Sequence, residues 1–200
     1  VLTTGEEESM QKSVFLFLAL LLATAGCGRP EKQVEGQARA ADKVEKKFNP
    51  FIVYKDKGTK DNHYVPSGFM PDGKCLIIQD TWKENCYDGT SCIKFSYDVA
   101  CSLANQKWVG IYWLNPANNW GTKKGGFDLT GMTKLTFWAR GAKGGEVIDR
   151  FKVGGVGMVQ EVPYKDSSVT EMGPIELTDT WKQYTINLAG KDLSYISGGF

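Results

Sequence analysis

Aromatic and amide side chains are concentrated in residues 112–121, which read Tyr-Trp-Leu-Asn-Pro-Ala-Asn-Asn-Trp-Gly. Sugar recognition uses flat apolar rings that cover the C–H faces of pyranoses and short polar groups that hydrogen-bond their hydroxyls. Trp120 and Tyr112 could supply such rings. The candidate polar groups are three amides: Asn115, Asn118 and Asn119. The alternative is that Trp120 folds back as a lid while the asparagines satisfy the backbone of a turn.

Two further tryptophans are candidate stacking platforms. Trp138 falls on the polar face of a predicted strand, and its alternative role is to be covered by a neighbouring loop. Trp82 lies in a polar stretch between two acidic residues and is the third candidate. Trp108 and Trp181 begin predicted strands, so they are expected to pack in the core or at a sheet edge.

Signatures of catalysis are absent from the sequence, which contains no G-x-S-x-G elbow, Walker loop or G-x-G-x-x-G turn. The single histidine, His63, excludes a His-rich metal site. Glycoside hydrolases use two carboxylates at a set distance from each other in space, so the sequence leaves open whether such a pair exists. The available carboxylates are Asp80, Glu84, Asp88, Glu146, Asp149 and Glu161. We therefore expect a binding domain rather than an enzyme.

Four cysteines lie close together in the sequence: Cys75, Cys86, Cys92 and Cys101. An even number of cysteines predicts disulfides if the chain is exported to an oxidising compartment, and three connectivities remain open. We expect one or two bridges that pin residues 87–91 to the strands around them. The spacing contains no C-x-x-C, which argues against a zinc site.

The elements that position these residues are predicted to be short β-strands. The chain of 200 residues has 23 glycines and 12% aromatic residues, and its apolar runs are separated by turn-forming residues. Alternation is clearest where Leu135 and Phe137 oppose Lys134 and Trp138. The predicted strands are residues 51–54, 75–78, 92–99, 108–113, 134–139, 150–153 and 181–188. This pattern predicts an all-β fold, an antiparallel sandwich or jelly roll, over residues 50–200. A formal net charge of +1 argues against nucleic-acid binding.

The first 26 residues have the features of a signal peptide. Lys12 precedes the apolar residues 14–23, and small residues lead to Cys27. This apolar run is too short for a permanent membrane span. The small residues before Cys27 resemble the lipobox of bacterial lipoproteins, although Thr24 stands where an aliphatic residue is usual. That resemblance implies an acylated Cys27 and attachment to a bacterial membrane, the outer membrane in a Gram-negative cell, with a periplasmic or surface-exposed domain.

Two expectations concern the regions next to this signal. Acidic residues 6–8 do not suit a signal's positive start, so translation is expected to begin at Met10. Residues 27–49 are polar and poor in large apolar side chains, which predicts a flexible tether. The alternative for its second half is a short amphiphilic helix over residues 38–47.

Residues 125–141 and 177–188 carry the clearest family resemblance. The first reads Gly-Gly-Phe-Asp-Leu-Thr-Gly and leads into Lys-Leu-Thr-Phe-Trp-Ala-Arg-Gly, and the second contains Trp-Lys-Gln-Tyr-Thr-Ile-Asn-Leu. Together they resemble the galactose-binding-like β-jelly-roll domains found as carbohydrate-binding modules. The resemblance implies the fold and a structural calcium ion at the sheet edge, to which Asp56 could contribute. Such domains usually end in a further strand, so we expect that the final strand is missing after Phe200.

The sequence therefore predicts a lipid-anchored, exported protein whose domain binds polysaccharide or oligosaccharide. A structural or assembly lipoprotein of the cell envelope that binds a protein partner is the alternative, because an exposed aromatic patch suits either role. A glycoside hydrolase, or its accessory domain, is the third possibility. The sugar, the membrane face and the oligomeric state are left open by the sequence.

Overall fold

The computed structural model describes residues 2–4, 50–71, 73–98, 100 and 108–200. The predicted apolar signal segment, Cys27, the tether and Cys101 lie outside these residues. Of the residues before Met10, the structure describes Leu2–Thr4, which form a strand. The described residues contain no helix that is long and apolar enough to cross a membrane.

The described part of the chain is all β, without a helix, and its strands are antiparallel, as predicted. The strands are β1 (Leu2–Thr4), β2 (Val65–Met70), β3 (Leu76–Trp82), β4 (Cys92–Tyr97), β5 (Gly110–Leu114), β6 (Met132–Ala139), β7 (Val147–Ile148), β8 (Phe151–Gly154), β9 (Val169–Met172), β10 (Ile175–Glu176) and β11 (Lys182–Asn187). β6 lies between β1 and β11. The other pairs are β2 with β5, β3 with β4, β7 with β10 and β8 with β9.

Six of the seven predicted strands are confirmed, and the prediction for residues 51–54 is wrong. Only Phe51 takes part in a β-bridge there. The backbone turns so that the Val53 carbonyl accepts hydrogen bonds from the amides of His63 and Tyr64 at 3.2 and 3.1 Å. The apolar run therefore serves the core rather than a sheet, with Val53 buried.

A C-terminal segment, residues 196–200, joins β5 to β8. The Asn115 amide donates to the Ser197 carbonyl at 2.8 Å, and the Gly154 amide donates to the Gly198 carbonyl at 2.9 Å. Successive carbonyls of an extended chain point in opposite directions, so this segment lies between β5 and β8. An antiparallel bridge between Leu114 and Gly198 supports the same placement.

The core brings side chains of β6 and β11 together with those of β8 and the C-terminal segment. Leu135 of β6 and Ile186 of β11 are register partners, and both are buried. Phe137 of β6 stacks on Phe151 of β8, with ring centroids 3.8 Å apart. The buried cluster consists of Val53, Tyr64, Leu129, Leu135, Val153, Ile186, Leu188, Leu193, Ile196 and Phe200.

Candidate functional site

Trp120 and Tyr112 lie together on one face of the β2–β5 pair. Their rings meet edge to face, with centroids 5.3 Å apart and planes inclined by 67°. The Trp120 ring lies over Gly68 of β2, where a Cβ atom would come within 2.7 Å of the indole Cζ2. Trp120 is nevertheless 36% exposed. It therefore folds back onto the sheet and still presents an aromatic surface to solvent.

Asn119 and Asn115 hold the loop in which Trp120 sits. Asn119 is 1% exposed, and its side chain bonds the amide and the carbonyl of Lys123 at 3.0 and 2.8 Å. The Asn115 amide group donates to the His63 carbonyl at 2.7 Å, and its oxygen accepts from the Gly126 amide at 3.1 Å. Asn119 is therefore buried rather than open to a sugar as expected, while Asn115 is half-buried with its amide group bonded to the backbone.

Asn118 remains at the surface beside the aromatic pair. It adopts a left-handed conformation with φ of 60°, which asparagine tolerates better than most residues. Its backbone amide donates to the Ser67 hydroxyl at 2.9 Å, which ties the loop to β2. Of the three predicted amides, Asn118 is therefore the exposed one. Ser67 was not predicted, because the contact depends on the pairing of β2 with β5.

Tyr87, from the loop between Cys86 and Cys92, covers one face of Trp138, which stays 38% exposed. Tyr87 stacks on the Trp138 indole with centroids 3.7 Å apart and planes inclined by 16°. The indole N–H of Trp181 donates to the carbonyl of Asn85, the residue before this loop, at 2.7 Å. A loop residue thus covers one face of Trp138, as in the alternative that the sequence left open, while the side chain is about as exposed as that of Trp120. Its contacts are separate from those of Trp120.

The disulfide that closes this loop joins Cys86 to Cys92, as the cysteine spacing allowed. It pins residues 87–91 beside β4, which confirms the expected role of the bridge. Cys75 is also disulfide-bonded.

Trp82 packs locally rather than with the other aromatic candidates. The ammonium group of Lys94 lies 3.9 Å from its ring centroid, and its indole N–H donates to the Glu84 carbonyl at 3.0 Å. A cation above the ring is favourable because the π face carries negative charge. This face of Trp82 is therefore already occupied.

Asp56 is buried and connects two loops. One carboxylate oxygen accepts from the Thr59 hydroxyl, and the other accepts from the Thr90 amide at 3.1 Å and from its hydroxyl at 3.3 Å. These bonds, led by that from Thr59, lower the pKa of Asp56 below its usual value. Across the residues that the structure describes, no group of three potential metal ligands is found. The geometry thus gives Asp56 a structural role in docking the disulfide loop.

Charged side chains of β8 and β9 occupy the face opposite the core. Lys152 and Glu171 are register partners, with Nζ and Oε2 3.6 Å apart. Arg150 reaches the same carboxylate, with Nη1 3.8 Å from Oε1. The residues flanking Lys152 face inward, since Val153 is buried and Phe151 packs against the core. The sequence signal for Lys152 was its alternation with these apolar neighbours, but its partner was not predictable.

Tyr112 feels the charge of Glu171 on β9 as well as the ring of Trp120. Burial raises the pKa of its hydroxyl, and the negative charges of Asp166 and Glu171 raise it further. Asp166 lies beneath the surface, where its carboxylate accepts from Ser197 and Val156. The charge effects on Tyr112 therefore come from one buried carboxylate and one half-exposed carboxylate.

The carboxylates considered for glycan cleavage are distributed over different elements. Glu146 accepts from the amides of Ala142 and Lys143 at 2.9 and 3.0 Å, which closes a turn and lowers its pKa. Asp80 forms an ion pair with Lys57 at 2.8 Å. Both groups therefore have structural partners.

Comparison of the chain with protein-family models, curated proteins and solved structures finds no significant match.

Proposed function

We propose that this protein is an exported bacterial lipoprotein whose β domain binds polysaccharide without cleaving it. The proposed domain is a sandwich of the jelly-roll type. The placement of the core between β6 and β11 on one side and β8 and residues 196–200 on the other supports this architecture. The apolar run before Cys27 supports export and acylation, which would hold the domain at a membrane.

The observation that carries the binding proposal is the contact between Trp120 and Tyr112. Edge-to-face packing at 5.3 Å holds the indole in a fixed orientation, and Gly68 supports it from below. A rigid, partly exposed indole suits the apolar face of a pyranose ring. Asn118 supplies an exposed side-chain amide next to it, while the Ser67 hydroxyl accepts from the Asn118 amide and donates to the Val65 carbonyl.

The affinity of such a site is modest. Stacking on one aromatic ring contributes about 0.5–1.5 kcal/mol beyond the area that is buried. Neutral hydrogen bonds to hydroxyls add about 0.5–1.5 kcal/mol each, because they replace hydrogen bonds to water. Binding in the micromolar to millimolar range is therefore expected for a short oligosaccharide.

A glycan array probed with the full chain tests this function, with Trp120→Ala and Trp138→Ala as matched variants. Loss of Trp120 should weaken binding about 10-fold or more, equivalent to about 1.4 kcal/mol. Loss of Trp138 should leave binding intact, because Tyr87 occupies one face of that ring and its ring contacts are separate from those of Trp120 and Tyr112. Equal losses in both variants would contradict the site. Absence of binding to every glycan would favour the assembly role, and release of sugar would favour the hydrolase.

Anchoring requires a separate experiment. Cells given labelled fatty acid should incorporate the label into the wild-type protein but not into a Cys27→Ala variant. An unlabelled wild-type protein recovered from the soluble fraction would contradict the proposed anchor, while leaving glycan binding unaffected.

A further inference from the structure

The face of the molecule that carries Tyr112 continues beyond β5. Residues 196–200 connect β5 to β8 through hydrogen bonds of 2.8 and 2.9 Å, and β8 pairs with β9. Strands lie about 4.8 Å apart, so the distance from β5 to β9 across this connection is about 14 Å. This span exceeds what a single sugar ring at Trp120 would use.

Alternation places three side chains on the same outer face of these strands. Tyr112 shares the Trp120 side of the sheet with Gly68, its register partner on β2. Lys152 and Glu171 point away from the core, because their neighbours Val153 and Met172 pack towards it. The influence of the Glu171 charge on Tyr112 is consistent with this common face.

A cleft of about 320 Å³ lies at the far end of this face. It is lined by Asp149, Arg150, Glu171, Met172, Gly173 and Pro174. Arg150 lies 3.5 Å from the Asp149 carboxylate and 3.8 Å from that of Glu171. Together with Lys152, the cleft offers two positive and two negative groups, each of which can exchange hydrogen bonds with hydroxyls.

We propose that the glycan surface runs from Trp120 and Tyr112 across β8 and β9 to the Arg150–Glu171 cleft, and that its ligand is an uncharged linear oligosaccharide lying across the strands. This inference rests on the proposed function and names its ligand class. The charges favour a neutral ligand because they are balanced and already paired. A carboxylated sugar would gain no net attraction there, because Arg150 and Lys152 are already neutralised by Asp149 and Glu171.

Titration calorimetry with oligosaccharides of two lengths tests the inference. The probes are cello-, manno- and xylo-oligosaccharides of two and six rings, with an oligogalacturonate of six rings as the anionic comparison. For at least one neutral series, the six-ring probe should bind more tightly than the two-ring probe. Glu171→Gln and Arg150→Ala should each lower the affinity for the six-ring probe about 3- to 10-fold and leave the affinity for the two-ring probe unchanged.

Two further variants separate the possible failures. Trp120→Ala should lower the affinity for probes of both lengths. Arg140→Ala, at a side chain beside Trp181, should change neither affinity. Glu171 is about half exposed, so its substitution should not unfold the chain, and an unchanged melting temperature checks this. Equal affinities for the two probe lengths would overturn the extended site but not the proposed function. The same holds if substitution of Arg150 and Glu171 leaves the affinity for the six-ring probe unchanged. Tighter binding of the oligogalacturonate overturns the uncharged ligand, and no binding of any probe overturns both proposals.

Discussion

Tyr87 stacks on Trp138 with ring centroids 3.7 Å apart, although 51 residues separate them in the chain. The stack holds the Cys86–Cys92 loop against β6. On its other side, Lys55 of the preceding loop lies 3.7 Å from Asp88, and Asp56 binds Thr90. The disulfide loop thus joins parts of the sequence that are far apart, and its ordering controls how much of Trp138 meets solvent.

Removal of the disulfide should expose the face of Trp138 that Tyr87 covers. A Cys86→Ser, Cys92→Ser double variant is expected to be about 2 kcal/mol less stable, because a short loop regains entropy in the unfolded chain. Its tryptophan fluorescence should be quenched more strongly by acrylamide, and the near-ultraviolet circular dichroism of the stacked pair should weaken. Tyr87→Ala, which keeps the disulfide, should give the same optical change with a smaller loss of stability. Optical signals identical to the wild type in both variants would contradict this relationship.

Asp56 should make the stability of the fold depend on acid pH. Its folded pKa lies below its usual value, so its contribution is present at neutral pH and is lost as the pH falls through that lowered pKa. Asp56→Asn should lower the melting temperature at neutral pH and flatten its decline as the pH falls below the usual pKa of an aspartate. Asp88→Asn is the control, because this carboxylate is exposed and its ion pair contributes little. A wild-type pH profile in Asp56→Asn would show that the loops are held by other contacts.

Gly68 should be intolerant of a side chain. An added Cβ would lie 2.7 Å from Trp120 Cζ2 and 2.8 Å from Leu114 Cδ1, so the indole must move. Gly68→Ala should cost about 1–3 kcal/mol of stability and should weaken glycan binding. The matched control is Gly73→Ala, whose Cβ would make an ordinary contact at 3.6 Å with Phe69. Denaturant unfolding measures both variants, and equal stabilities would refute the proposed support of Trp120.

Asp166 should be essential for the position of the C-terminal segment. It is 1% exposed and accepts from the Ser197 amide at 2.6 Å, the Ser197 hydroxyl at 2.7 Å and the Val156 amide at 3.0 Å. Asp166→Ala leaves buried donors unpaired and should cost about 3 kcal/mol or more. Asp192→Ala, which removes an exposed turn acceptor, should cost much less. Faster hydrogen exchange at Ser197 and Val156 in the first variant would locate the damage, whereas unchanged exchange would count against it.

The sequence by itself determined the secondary-structure class and much of the inward and outward pattern. Alternation around Leu135 and Phe137 identified a strand whose apolar side packs in the core, because side chains of an extended chain point to opposite faces in turn. The crowding of cysteines located the loop that Cys86–Cys92 closes. The composition of residues 112–121 identified the segment that carries the exposed aromatic pair. These properties are local, so a short window of sequence contains them.

Only the tertiary structure decided which candidates meet. β2 contains Pro66, Ser67 and Gly68, which disfavour a strand locally. A strand forms there in the structure, where β2 pairs with β5 and the Trp120 indole lies over Gly68. Asn115 finds its partner at His63, 52 residues away, so its amide group is bonded to the backbone. Lys152 meets Glu171 in the same way, through a strand pairing that neither residue encodes alone. Contacts between distant segments depend on how the whole chain closes around its core, and no local pattern specifies that closure.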